Sequence, residues 1–245
     1  YNLAAQSFVG ASFQQPILTS DITGLGTLRV LDSLREITPD AKFYQASSSE
    51  MYGNQIGTKN ENTPFKPRSP YGVAKVFAHH TTNHYKEAYN IFACCGILFN
   101  HESPLRGLEF VTRKITYELA LIKYKKQKKF KLGNIYAKRD WGFAGDYVEA
   151  MWLMLQQKQP EDYVISTGES HSVEDFLNLA TEFSELGDWK NLVEIDKSIL
   201  RPTDIDDLVG DSSKARTQLG WKPKMNFRQL VKSMVEHDLE FVKTH

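Results

Sequence analysis

The sequence predicts an α/β fold, a parallel sheet with helices on both faces, and three observations predict it. Strand-length apolar runs alternate with helix-length amphipathic runs, the order that builds βαβ units. The clearest strand-like runs, Lys42 to Ala46 and Ile91 to Phe99, read as buried parallel strands. The chain has 245 residues, 41% of them hydrophobic. At ~150 residues per domain, that suits one large domain with a small companion.

Taken in order, the chain opens on a short apolar piece, Tyr1 to Ala5, and Ser20 to Ile37 then reads as a helix. Its Leu25, Leu28, Leu31 and Leu34 fall at three-residue steps, and Thr38-Pro39 closes it. Gly24-Leu25-Gly26 lies inside that helical pattern and is read as close packing. No G-x-G-x-x-G cluster of a dinucleotide turn occurs in the sequence. After the first strand, Ser69 is the N-cap and Pro70 the first residue of a helix to Tyr89, where a missing N–H does no harm. The second strand completes the βαβ unit. Further amphipathic helices are expected at Val111 to Tyr124, Tyr147 to Gln156, Ser172 to Phe183 and Phe227 to Val242. Asn226 caps the last, whose Leu230, Val231, Met234 and Val235 form one stripe.

Composition excludes several classes. Thirty basic residues against thirty acidic ones argue against a dedicated nucleic-acid binder. The basic run Lys123 to Lys131 reads as a solvated helix end. No apolar run approaches the ~20 residues of a membrane span, and no secretory leader pattern opens the chain. Cys94 and Cys95 are adjacent, a poor geometry for bridging each other and too few for structural zinc. Both read as inert packing in a reducing, cytoplasmic compartment. His80 and His84 lie four apart without a third ligand, so no metal site is expected.

The chemistry concentrates in one unit. Tyr71 and Lys75 share a helix face, and an ammonium beside a phenol is expected to lower the phenol's pKa, making it an acid or base near neutral pH. Ser47, Ser48, Ser49 and Glu50 follow the first strand, and the carboxyl end of a strand in an open α/β sheet is where ligands bind.

These residues resemble a known family. Q-A-S-S-S-E-M-Y-G at 45–53, S-P-Y-G-V-A-K at 69–75, L-F-N-H-E-S-P-L-R-G at 98–107 and F-V-T-R-K at 110–114 are similar to the GDP-mannose 4,6-dehydratases. L-G-N at 132–134, K-R-D-W-G at 138–142, D-Y-V-E-A-M-W at 146–152 and R-P-T-D-I-D at 201–206 continue the likeness. That family lies in the extended short-chain dehydrogenase/reductase superfamily. The resemblance implies a Rossmann-like sheet, a lyase acting on GDP-mannose, and bound NADP that both accepts and returns a hydride.

By the same resemblance Tyr71 takes the proton of the sugar 4-hydroxyl with help from Lys75, and Glu50 removes the C5 proton and assists loss of water from C6. Ser48 stands where the family usually has threonine. Leu3, Ala4, Gln6, His101, Glu102 and Arg106 are expected along the cofactor, with Tyr71 and Lys75. Ser7, Asn100, Lys114, Arg139, Arg201 and Asp204 are expected on the substrate, where arginine forks suit a diphosphate. Residues 1–108, joined by 139–168, would form the remainder of the dinucleotide-binding domain. Residues 109–138 and 169–245 would mainly form a small substrate domain. The resemblance further implies a homodimer or homotetramer and a preceding N-terminal strand, glycine-rich turn and βα units of at least ~60 residues. It also implies a longer excursion near 187–192 than this chain has. A related epimerase or 4-keto reductase, or a non-catalytic binding module, are the alternatives.

Overall fold

The computed structural model describes residues 1–245. Helices α1 (Val9–Gln14) and α2 (Pro16–Thr19) lead through a π-helical turn, Ser20–Leu25, into α3 (Gly26–Ile37). Strand β1 (Phe43–Ser48), helix α4 (Pro70–Tyr89) and β2 (Ala93–Leu98) form the βαβ unit. Then come β3 (Asn100–Glu102), α5 (Val111–Lys123), β4 (Phe130–Leu132), β5 (Lys138–Arg139), β6 (Trp141–Phe143), α6 (Ala144–Gln156) and β7 (Tyr163–Ile165). The chain ends with β8 (His171–Ser172), α7 (Val173–Ser184), β9 (Val193–Ile195), β10 (Asp207–Leu208), α8 (Ser213–Gln218) and α9 (Phe227–Thr244).

The central sheet runs β1-β2-β7, all parallel, with Ala46 beside Gly96 and Leu98 beside Ile165. On the other side of β1, Asn2 makes a parallel bridge to Gln45. Gly96 has a steric reason: a Cβ there would lie 2.2 Å from the Tyr44 hydroxyl. Alternate residues of these strands enter opposite cores. Tyr44, Cys94, Leu98 and Ile165 pack with Tyr147 and Met151 of α6 and with Ala215, Leu219 and Trp221. Phe43 and Ala93 pack against Leu31 of α3 and Tyr85 of α4, while Ile97 and Val164 join Met51, Tyr52 and Val76. Helices therefore cover both faces. On the open edge of β7, Glu61 Oε1 accepts the Val164 N–H at 2.7 Å.

A separate core joins α5, α7 and α9 through Ile115, Leu119, Phe176, Leu177, Leu230, Val231 and Met234. Trp141 stacks on Phe227 within it, ring centroids 6.0 Å apart. No helix is long and apolar enough to cross a membrane.

Local chemistry sets the helix ends. Ser69 Oγ accepts the Gly72 N–H at 3.0 Å, and Asn226 and Gln229 form a reciprocal capping box. The helix expected from Ser20 differs. Helical structure begins at Pro16 and passes through the π turn. That turn carries Gly24 against α4, where an added Cβ would lie 3.3 Å from Phe77. The extra residue per turn thus serves close packing. At 187–192 the chain closes in a 3₁₀ turn, with Trp189 Nε1 donating to Asn178 Oδ1 at 2.9 Å.

Candidate functional site

The carboxyl ends of β1 and β2 open into a cleft of about 550 Å³. Residues 46–50 and 98–102 form its floor, and the first turns of α4 contribute Tyr71 and Lys75. The opposite wall comes from Arg106, the start of α5 with Lys114, Arg139 and the 199–204 loop. Ser48, Glu50, Asn100, His101, Glu102, Arg201 and Asp204 all line it.

The N-terminal segment alternates. Leu3, Ala5 and Ser7 line the cleft, and Ala4 and Gln6 do not. The cofactor contacts expected for Ala4 and Gln6 therefore do not come from this wall of the cleft, and the segment bends at Ala5. Gln6 is instead engaged with α2, where Thr19 Oγ1 donates to its Oε1 at 3.2 Å, while its Nε2 donates to the Phe8 carbonyl at 3.1 Å.

The Tyr71/Lys75 pair also differs from expectation. Lys75 is buried, and its Nζ donates to the Ala46 carbonyl at 2.7 Å. Nζ lies 5.8 Å from the Tyr71 ring centroid. Burial pushes the ammonium down to about 8, against the opposing pull of Cys95. Burial likewise pushes the Tyr71 phenol up to about 12, although the hydrogen-bonded Ser48 hydroxyl lowers it. Glu50 raises the phenol further and Arg106 lowers it. A lowered Tyr71 is therefore not the state of this cleft: loss of hydration outweighs the favourable partners, and the lysine's hydrogen bond goes to the backbone.

Around the other strand end, His101 Nδ1 donates to the Phe99 carbonyl at 2.9 Å, and the ring stacks on Tyr147. Burial lowers this imidazole to about 4, so it is neutral at pH 7 with Nε2 left as an acceptor. Glu102 accepts from Thr112 Oγ1 at 2.6 Å and faces Arg106 Nε at 3.3 Å. Burial raises its carboxyl above the usual range, with Arg106 and Thr112 opposing. The Arg106 guanidinium lies 3.6 Å over the Phe110 ring.

Arg139 is buried, donating Nη1 to the Ile205 and Lys138 carbonyls at 2.7 and 2.8 Å and Nη2 to Asp204 Oδ1 at 3.1 Å. Arg201 Nη1 approaches the same carboxylate oxygen at 3.6 Å and is the more exposed of the two. The next residue, Asp140, holds the neighbouring loop by accepting from the Thr167 and Gly168 N–H groups at 2.8 and 2.9 Å.

The donor chemistry fits the nicotinamide-ribose half of a dinucleotide. Lys75 and Arg106 offer positive charge, Ser48 and Tyr71 offer hydroxyls, and the buried Arg106 Nε, ion-paired with Glu102 at 3.3 Å, makes no hydrogen bond.

Several features lay outside the sequence reading. Phe8, Phe110 and Asn134 line the cleft, with Phe8 and Phe110 edge to face at 5.8 Å. Behind α4, the donor atoms of His79, Cys95 and Asp162 lie within 4.8 Å of one another. Each is engaged: Ser47 Oγ meets His79 Nδ1 at 3.0 Å, Cys95 Sγ donates to the His79 carbonyl at 3.9 Å, and Asp162 accepts from the Cys95 N–H at 2.7 Å and from Asn83 Nδ2 at 2.8 Å. The cluster ties α4 to β2 and β7. His80, by contrast, is exposed and makes edge contacts with Phe65 and His79. Neither cysteine is bridged, and burial raises both thiols.

The family described as GDP-mannose 4,6 dehydratase matches residues 1–234. GDP-mannose 4,6 dehydratase 1 of Arabidopsis thaliana is 56% identical, the match covering 99% of this chain and 68% of the relative. The human GDP-mannose 4,6 dehydratase is 48% identical, covering 100% and 71%. The chain thus spans about two thirds of the length of these relatives. Among solved structures, RMD from Pseudomonas aeruginosa, complexed with NADPH, superposes with a TM-score of 0.87 at 22% identity, covering 97% of this chain and 80% of that one. UDP-glucose 4-epimerase of Thermus thermophilus, in complex with NAD, gives 0.86 at 24%, covering 96% and 76%. These last two show the fold.

Proposed function

The chain belongs to the GDP-mannose 4,6-dehydratase family, and from that premise we propose that it is a lyase converting GDP-mannose to GDP-4-dehydro-6-deoxy-mannose with bound NADP. The observation that carries this reading is Glu50 beside Ser48 and Tyr71 in one cleft. An epimerase or a 4-keto reductase moves hydride at C4 and needs no carboxylate there, whereas loss of water across C5 and C6 needs a base.

When bound, the nicotinamide supplies hydride acceptance and return. The chain's own groups handle protons and position. Tyr71 would take the proton of the sugar 4-hydroxyl as its tyrosinate, formed in the liganded cleft, because the phenol that burial keeps protonated in the unliganded one cannot accept a second proton; Ser48 hydrogen-bonds the same region. Lys75, fixed on the Ala46 carbonyl, places positive charge beneath them. Oxidation at C4 acidifies the C5 hydrogen, which Glu50 removes before passing a proton to the departing 6-hydroxyl. Arg201, with Lys114, meets the diphosphate, Asn100 the sugar, and Arg139 orders the loop that presents Arg201 and Asp204. Asp204 takes the ribose through the oxygen not shared with the arginines.

In this reading residues 1–108 with 139–168 form the dinucleotide domain and 109–138 with 169–245 mainly the substrate domain, although Trp141 packs in the α5–α7–α9 core and Arg106 and Arg139 stand on the wall facing the strand ends. Residues 215–221 side with the sheet core. A homo-oligomer is supported by an apolar face in which Phe77 and Val73 of α4 and Ile22 and Leu25 of the π turn are all more than a third exposed. Free thiols at both cysteines suit a reducing, cytoplasmic setting.

The test is incubation of the full-length protein with GDP-mannose and NADP. A nucleotide sugar lighter by one water, without net NADPH, is expected, and Glu50→Gln should abolish it. Turnover unaffected by Glu50→Gln would overturn the reading in favour of an epimerase or reductase.

A further inference from the structure

Asp238 lies on α9, far along the sequence from every residue assigned above, and is fully buried. Its two carboxylate oxygens each accept from Arg113 Nε at 2.8 Å, and Arg113 Nη2 adds a contact to Oδ1 at 2.7 Å. Thr116 Oγ1 donates to Oδ2 at 2.6 Å. The remaining arm of the guanidinium points the other way: Arg113 Nη1 donates to the Arg106 carbonyl at 3.1 Å and to the Pro104 carbonyl.

That geometry makes a relay. The 103–107 loop turns on the Arg106 N–H donating to the Ser103 carbonyl at 3.0 Å. It delivers the Arg106 guanidinium to the cleft wall between Glu102 and Phe110. Within the loop Ser103 Oγ accepts the Leu105 N–H at 3.1 Å, and from behind Arg113 fastens the backbone by hydrogen bonds to two carbonyls. A guanidinium can hold both carbonyls only while its other face is neutralised, because an unpaired buried charge swings toward water. The ion pair is not needed to join α5 to α9. Those helices already share an apolar core of Ile115, Leu119, Leu230, Val231 and Met234, and a buried ion pair contributes little net stability.

We propose that Asp238 is a positioning residue for the nicotinamide nucleotide: through Arg113 it sets the 103–107 loop so that Arg106 faces the bound dinucleotide. The inference rests on the cofactor reading of the cleft given above. It makes dinucleotide affinity depend on the C-terminal helix, which does not itself reach the cleft.

Asp238→Asn and Arg113→Lys in the full-length protein test it. Lysine keeps a positive charge against Asp238 but lacks the second arm that reaches the loop carbonyls, so this variant folds even if Asp238→Asn does not. NADPH affinity is read by fluorescence titration, GDP affinity by calorimetry, and the Arg106 amide by hydrogen exchange. We expect Arg113→Lys to weaken NADPH ~10-fold, the scale of a small misplacement of a binding group. GDP affinity should stay within about twofold and the Arg106 amide should exchange faster. Equal loss of both ligands, or unchanged NADPH affinity with wild-type exchange, would overturn the inference alone. Failure of the unaltered protein to bind NADPH would overturn the cofactor reading and this inference with it.

Discussion

Lys75 Nζ and the carbonyl oxygen of Ala46 stand 2.7 Å apart, so the helix lysine is anchored to strand β1 and not to the tyrosine one turn before it. A backbone anchor fixes the charge without depending on the tyrosine's own protonation.

This gives a first prediction. The folded Lys75 titrates at about 8 against an ordinary value of 10.5, so between those values the unfolded chain holds a proton that the folded one has lost. Stability therefore rises with pH across that window, by up to about 3 kcal/mol for a shift of this size. Lys75→Met should remove that rise in urea midpoints measured from pH 8 to 10, and should lower turnover ~10²- to 10⁴-fold.

Tyr71 yields a second prediction. With the phenol raised to about 12 by burial, no tyrosinate forms there in the unliganded protein at pH 10. The 295 nm difference spectrum between wild type and Tyr71→Phe should stay flat to that pH. Ser48→Ala, which removes the partner that lowers the phenol, should push ionisation higher still. A Tyr71-dependent signal near pH 8 would contradict the burial argument.

Acid stability follows from His79 and His101. Burial lowers both imidazoles to about 4, from an ordinary 6.5. Below pH 6.5 the unfolded chain takes up protons that these two sites refuse, so stability is full above that pH and is lost as pH falls through about 4. With two sites the slope reaches about 2.7 kcal/mol per pH unit at most. His79→Gln should roughly halve the slope of Tm against pH between 6 and 4.5.

The two arginines of the substrate wall should separate cleanly. Arg139→Ala removes the donor from the Lys138 and Ile205 carbonyls and leaves Asp204 only the Ile205 N–H and Arg201, and should cost ~3–5 kcal/mol of stability. Arg201→Ala touches a half-exposed ion pair and should leave Tm within about 1 °C, while weakening GDP ~10-fold or more. Differential scanning fluorimetry and calorimetry on the same samples decide it.

What the sequence made legible was the chemistry carried by short spacings. Ser69-Pro70 and Asn226 marked helix starts because a cap is a contact across three residues. Tyr71 and Lys75 shared a face for the same reason. Ser48, Glu50, His101 and Arg106 came from motif resemblance, and the fold gathers them in one cleft. Long-range pairings were silent. Nothing near Arg113 announces Asp238, 125 positions away. Strand β7 is three residues long, too brief for a pattern, and gains its identity from the register with β2. Tyr71's raised phenol was equally hidden, because desolvation depends on everything packed around a group and not on its helix neighbour.

The carboxylate of Glu61 on the Val164 N–H has a bearing on how the protein behaves in concentrated solution. An open border of a parallel sheet is a template on which another chain's strand can stack, the first step toward fibrils. Here one of the donors such a strand would need is occupied, and by a group carrying negative charge. A newcomer would have to displace the glutamate and desolvate it, so the border discourages self-templated growth, and Glu61→Ala should make the protein more prone to aggregate on storage without altering its chemistry.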